Sequence, residues 1–163
     1  MMNEFERERR RKMMREKFRE SLEILCGGPP NEISPIANAK KMPVTNIDKL
    51  KGLELIYHYV RSYNENVIGG PATVFAAFDS TNGTLDVFSE DARHVKVQVA
   101  PWGQMRDYVL EAARECGASF YPSEGEILCE MMGARARGRD YVEAAMRAWL
   151  VYRDREEQSN RTV

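Results

Sequence analysis

Residues 73–99 constrain the fold most. Thr73-Val74-Phe75-Ala76-Ala77-Phe78 and Leu85-Asp86-Val87-Phe88 are two β-rich runs around an Asn82-Gly83 pair. Asn and Gly accept the positive φ angles of tight turns, so the arrangement predicts a β-hairpin. His94-Val95-Lys96-Val97-Gln98-Val99 follows, with valines on one face and His94, Lys96 and Gln98 on the other. That is the period of a half-buried strand. A three-stranded antiparallel meander with at least one wet face is expected, and in the second strand both faces carry some apolar weight.

Helices are expected around this meander. Thr45-Asn46-Ile47-Asp48 offers a cap and an acid for a helix over 48–65, with Leu50, Leu53, Tyr57 and Val60 on one stripe. Met105, Tyr108, Val109, Ala112 and Cys116 predict a helix over 103–116, and Gly117 ends it. After a short extended piece at 118–121, Ser123 and Glu126 have capping-box spacing, which predicts a helix through Ala134. Tyr141, Val142, Ala145, Met146, Trp149 and Leu150 predict a last helix over 140–157. The fold class expected is α+β: a three-stranded antiparallel meander packed with helices in the order α-β-β-β-α-α-α, preceded by an N-terminal helical arm.

The arm is unusual. No Gly or Pro occurs between Glu4 and Cys26, and Met14, Phe18, Leu22 and Leu25 share one helical stripe. The charged half before them must be solvated or bound to something. Gly27-Gly28-Pro29-Pro30 then stops the helix. The organisation expected is a charged helical arm at 1–26, a Pro/Gly/Asn linker or extended strap at 27–46, a compact α+β domain at 47–158 and a frayed tail at 159–163.

The 163 residues carry 24 Lys plus Arg against 25 Asp plus Glu, a net charge of −1. Binding a polyanion by bulk attraction is excluded, although local basic contacts are not. No apolar run reaches the roughly 18–20 residues that cross a bilayer, and the N-terminus is charged where a secretory signal is apolar. A soluble, unexported chain is expected, and a reducing cytoplasm suits its 3 widely spaced cysteines. Neither disulfide nor C-x-x-C pair can form locally. A zinc site would have to recruit His58 and His94 to Cys116 and Cys129, all far apart in sequence. No metal or cofactor is expected.

No nucleophile elbow, phosphate-binding loop or H-E-x-x-H motif is present. Asp79, Asp86, Glu90 and Asp91 gather around the hairpin with Lys96 on the next strand, a set that a metal-dependent nuclease uses in another pattern. Their simpler role is to form the turn and to discourage edge-to-edge association. The α-β-β-β-α order over 48–116 is shared with double-stranded-RNA-binding domains. Trp102-Gly103-Gln104-Met105-Arg106, however, carries one positive charge where that family is lysine-rich.

These residues support a small non-enzymatic interaction or regulatory protein, of the kind phages and mobile elements carry as accessory proteins. Met14, Phe18, Leu22 and Leu25, with Tyr59 and Tyr63, are the candidate contacts for a protein partner or a second copy of the chain. The alternative is nucleic-acid or acidic-surface binding through Arg7, Arg9, Arg10, Arg11, Lys12 and Arg15 on the arm and Arg135, Arg137 and Arg139, expected to form a short basic loop around Gly138. A third reading is a metal-dependent enzyme built on the hairpin carboxylates.

Overall fold

A computed structural model of the chain describes residues 4–6, 8–9, 11–13, 15–16, 33–37, 44–68, 73–89 and 93–162. The described positions among residues 4–16 are helical. The rest of the helix expected over 4–26, with Met14, Phe18, Leu22 and Leu25, lies outside the described residues, as does the Gly27–Pro30 stop. The chain divides into two compact units, one formed by 1–40 and 66–101, the other by 41–65 and 102–163.

The first unit holds a four-stranded antiparallel sheet in the order β1-β2-β3-β4. Its strands are β1 (Ile33–Ala37), β2 (Thr73–Asp79), β3 (Thr84–Ser89) and β4 (His94–Gln98). Three of these are the expected meander. The fourth, β1, comes from the segment expected to be a strap, paired with β2 from Ile33 opposite Ala77 to Ala37 opposite Thr73. Pro35 is compatible with pairing because β1 is an edge strand, where one N–H is not needed by a neighbour.

The register places Val74, Ala76, Leu85, Val87 and Val97 on one face, all buried. Phe75, Ala77 and Asp86 occupy the other face and are buried as well. Two-sided burial explains the apolar weight on both faces of β3. On β4 one face is wet, with His94, Lys96 and Gln98 exposed.

The β2–β3 connection is a four-residue loop, because Asp79 pairs with Thr84. The Asp79 carboxylate accepts the backbone N–H groups of Thr81 and Asn82 at 2.9 and 3.0 Å, and the Asn82 side-chain amide at 2.7 Å. The Asn82 backbone N–H, with its side chain, holds this exposed carboxyl below the usual aspartate range. Gly83 alone takes the left-handed conformation, at φ +69°, and its carbonyl accepts the Val99 N–H at 2.7 Å. The Asn-Gly pair thus marks the hairpin, but through a longer loop than a two-residue turn.

The second unit contains α1 (Val44–Ile47), α2 (Gly52–Tyr63), α3 (Trp102–Glu115) and α4 (Tyr141–Arg161). It also holds a three-stranded antiparallel sheet of β5 (Ser119–Ser123), β6 (Glu126–Met131) and β7 (Ala134–Gly138). The helix expected over 48–65 is interrupted. Gly52 has φ +51°, and the Leu50 carbonyl accepts a hydrogen bond from Arg147 instead of from the next turn.

The helix expected from the Ser123–Glu126 capping box to Ala134 does not form. Glu124 and Gly125 both have positive φ (54° and 81°), as do Met132 and Gly133 (49° and 74°). Consecutive left-handed residues make tight hairpin turns whose twist matches the flanking strands. Ser123 therefore ends β5 opposite Glu126 and caps nothing. Pro122 is tolerated because β5, like β1, is an edge strand. The observed class is α+β: besides the helical positions of the arm, the described residues form four helices and two antiparallel sheets.

Helix α4 packs on β6 and β7 and against α1, α2 and α3. Asp140 caps it by accepting the Glu143 N–H at 2.8 Å. Small residues let it approach the sheet: a Cβ on Gly138 would lie 2.3 Å from the Ala144 nitrogen. The helix runs through Ser159 and Asn160, which were expected to fray. The Ser159 and Thr162 hydroxyls satisfy the Arg155 and Gln158 carbonyls near its end.

Candidate functional site

The arginines at and just past β7 are sequence-derived contacts whose ion-pair geometry is defined. Ala134, Ala136 and Gly138 are buried toward α4, so Arg135 and Arg137 point outward from β7, and Arg139 is exposed just past its end. A strand rises roughly 3.3 Å per residue, which spaces Arg135 and Arg137 about 6.6 Å apart. The basic loop expected around Gly138 is therefore a strand as far as Gly138. Each guanidinium is held by a carboxylate: Arg135 by Glu130 at 2.7 Å, Arg137 by Glu124 at 3.1 Å and Arg139 by Glu143 at 3.0 Å.

The register lines Tyr121, Leu128 and Arg137 up across the three strands. Tyr121 is 48% exposed. A depression of about 390 Å³ opens beside them, lined by Asp48, Glu126, Leu128, Arg135, Arg137 and Arg147.

Arg147 reaches this region from α4 although it is only 4% exposed. Its Nη1 donates to the Arg137 carbonyl at 2.7 Å and its Nη2 to the Leu50 carbonyl at 2.8 Å. The same Nη2 lies 2.6 Å from Glu143 Oε1, while Arg139 holds the other oxygen of that carboxylate. One buried guanidinium thereby caps the outer edge of β7 and ties it to the 48–51 turn, using the fork of donors that lysine lacks. Nothing in the sequence distinguishes Arg147 from the solvated arginines around it. Its position on the inward face of α4 is the only available signal.

On the arm, Arg9, Arg11, Lys12 and Arg15 are exposed helical residues, and Arg7 and Arg10 lie outside the described residues. The Arg15 guanidinium lies 5.8 Å from the Phe75 ring centroid, so this part of the arm stacks on a strand of its own chain. Tyr59 and Tyr63 form an edge-to-face pair on α2, with centroids 5.3 Å apart. Tyr59 is half-buried and Tyr63 is 52% exposed, and burial raises both phenol pKa values.

Among the described residues the hairpin acids, Asp79 and Asp86, hold separate partners. Asp79 caps its own loop. Asp86, 2% exposed, pairs with His94 Nε2 at 2.9 Å, and the His94 ring lies against Phe88. Glu90 and Asp91 lie outside the described residues. Among the described residues no group of three or more His, Cys, Asp and Glu could hold a metal ion. Burial, aided by Glu130, pushes the Cys129 thiol up to about 11, so it is protonated at neutral pH.

A second concavity, of about 370 Å³, lies between α2 and α4 over Ile47 and Leu150. His58, 5% exposed, is part of its wall and touches the Tyr57 ring edge-on. Burial, reinforced by Arg61, lowers its pKa from 6.5 to about 4. The imidazole is thus neutral in the folded chain, whereas the unfolded chain protonates it near pH 6.5. Stability from this group is full above pH 6.5 and is lost as pH falls toward 4. At roughly 1.4 kcal/mol per unit, the loss approaches about 3 kcal/mol. Urea titrations at pH 7 and pH 4 should show that loss in the native chain and a flatter profile in His58→Phe. Parallel profiles in the two proteins would assign the acid sensitivity to other groups.

Together these features define the class: an α+β chain with two antiparallel sheets, an outward-facing arginine strand and a charged cleft between two helices. No protein-family model, curated protein or solved structure matches the chain. No helix among the described residues is long and apolar enough to cross a membrane.

Proposed function

We propose that this protein is a small non-enzymatic interaction protein, and that the outer face of β5, β6 and β7 meets an acidic protein surface. The observation that carries this reading is the outward alternation of Arg135 and Arg137 on a strand whose other face is buried, with exposed Arg139 next in the chain. A backbone fixed on both sides presents guanidiniums at set spacing, so less side-chain freedom is lost on binding. Each arginine has five N–H donors, more than one carboxylate can accept, and donors are left for a partner. Tyr121 and Leu128 add apolar contact in the same row, and Arg and Tyr dominate the centres of protein interfaces.

A nucleic-acid reading draws on exposed Arg9, Arg11, Lys12 and Arg15 together with the β7 arginines. Glu4, Glu6, Glu8 and Glu16 stand exposed among the former, and Glu124, Glu126 and Glu130 flank the latter. A continuous phosphate backbone would meet those carboxylates along its whole length, whereas separate carboxylates on an acidic protein surface can fall on the arginines between them. Self-association through the arm belongs to the same interaction reading, with Met14, Phe18, Leu22 and Leu25 as its anchors.

Fluorescence anisotropy tests the choice, with a glutamate-rich peptide and with duplex DNA and RNA as probes. The peptide should bind the native chain and lose at least tenfold in affinity to the R135E/R137E/R139E variant. Tight duplex binding with a steep salt slope, unchanged in that variant, would move the function to the arm.

A further inference from the structure

The cleft between α2 and α4 is lined by three arginines, Arg61, Arg153 and Arg161, against two carboxylates, Glu65 and Glu157. Cations exceed anions on its wall by one charge, because His58 is neutral above its lowered pKa. Two of the guanidiniums have unmet donors. Arg153 lies 5.9 Å over the Trp149 ring and 3.3 Å from Glu156, yet its buried Nε–H has no acceptor. Arg161, in the last turn of α4, has no acceptor among the described residues.

The wall is also well fixed. Trp149 Nε1 donates to the Ser62 hydroxyl at 2.8 Å, which ties α4 to α2 beside the cleft, and the Ser62 hydroxyl in turn donates to the Tyr59 carbonyl at 2.6 Å. A concavity of several hundred cubic ångströms with an apolar floor and a few convergent polar groups has the anatomy of a small-molecule site. Guanidiniums match the planar, multidentate acceptor geometry of carboxylates and phosphates.

We propose that this cleft binds a small organic molecule bearing an oxyanion, a carboxylate or a phosphate, with Arg61, Arg153 and Arg161 on the charge and Ile47 and Leu150 under its apolar part. The neutral His58 ring adds one donor or acceptor. This site is separate from the β7 face in its residues and does not depend on the interaction reading.

The test is calorimetric titration of the full chain at constant ionic strength, with citrate as the carboxylate probe, glycerol phosphate as the phosphate probe and matched sodium chloride as the reference. Saturable binding of one probe is expected, weakened about tenfold in Arg161→Gln and in Arg61→Gln. The Arg106→Gln/Arg114→Gln variant, altered at exposed positions of α3, should bind as the native chain does. Arg161 is exposed at a helix end, so its variant keeps the fold, and a circular dichroism spectrum checks both cleft variants. Heat changes no larger than those of chloride for both probes, or binding unaltered by Arg161→Gln, would overturn the assignment.

Discussion

Gly83→Ala is expected to destabilise the protein by roughly 2–5 kcal/mol. Two costs combine. The residue sits at φ +69°, where a Cβ strains the backbone by about 1–2 kcal/mol. The added Cβ would also lie 2.0 Å from the Ala100 carbonyl carbon and 2.2 Å from the Pro101 nitrogen. Both are backbone atoms of the chain leaving β4, so neither can rotate away, and overpacking of this kind costs about 1–3 kcal/mol more. Gly117→Ala separates the terms: its φ is +70°, but nothing lies within 4 Å of the new Cβ. Urea denaturation should give a large fall in midpoint for Gly83→Ala and a fall of only about 1 kcal/mol for Gly117→Ala. Equal losses in the two variants would show that the close approach to Ala100 contributes nothing.

Arg147→Met is expected to cost about 3–5 kcal/mol, since removing one partner of a buried pair strands the other. Glu143 would keep only Arg139, which is largely exposed, and the Arg137 and Leu50 carbonyls would lose their donor. Arg147→Lys should recover little, because one ammonium cannot span both carbonyls and the carboxylate. The double variant Glu143→Gln/Arg147→Met should be more stable than Arg147→Met alone, a non-additivity that a double-mutant cycle measures. Simple additivity would mean that the two side chains do not act as a unit.

Local patterning made part of this legible. The alternation in 94–99 and the β-rich runs around Asn82-Gly83 predict β2, β3 and β4, and the apolar stripes predict α3 and most of α4. The extended piece expected at 118–121 overlaps β5, but the helix expected from Ser123 to Ala134 gives way to strands for a physical reason. Ser123 and Glu126 satisfy the spacing of a capping box, but Glu124-Gly125 and Met132-Gly133 satisfy a hairpin turn at each end of β6. The two signals compete over the same residues, and the sheet wins because Cys129, Met131, Ala134 and Ala136 are buried as strand positions.

The candidate surfaces divide in the same way. The outward alternation of Arg135, Arg137 and Arg139 is readable from the Ala and Gly between them, even though the same residues predict a loop. The α2–α4 cleft was not readable, because it draws on residues nearly a hundred positions apart. His58 and Arg147 are ordinary polar residues in sequence, and only burial gives them their roles.

The sequence by itself determined the class of the protein, an α+β chain with a charged helical N-terminus, because helix and strand periods and turn residues act over a few positions. It also sufficed to show that no familiar catalytic motif is present. Tertiary structure alone decided that 33–37 joins the first sheet, that 119–138 forms a second one, and that Arg147 is buried while Arg135, Arg137 and Arg139 are not. Strand partners and buried charges depend on contacts between distant residues, and their free energies are set by desolvation and by hydrogen bonds that exist only once the chain has folded.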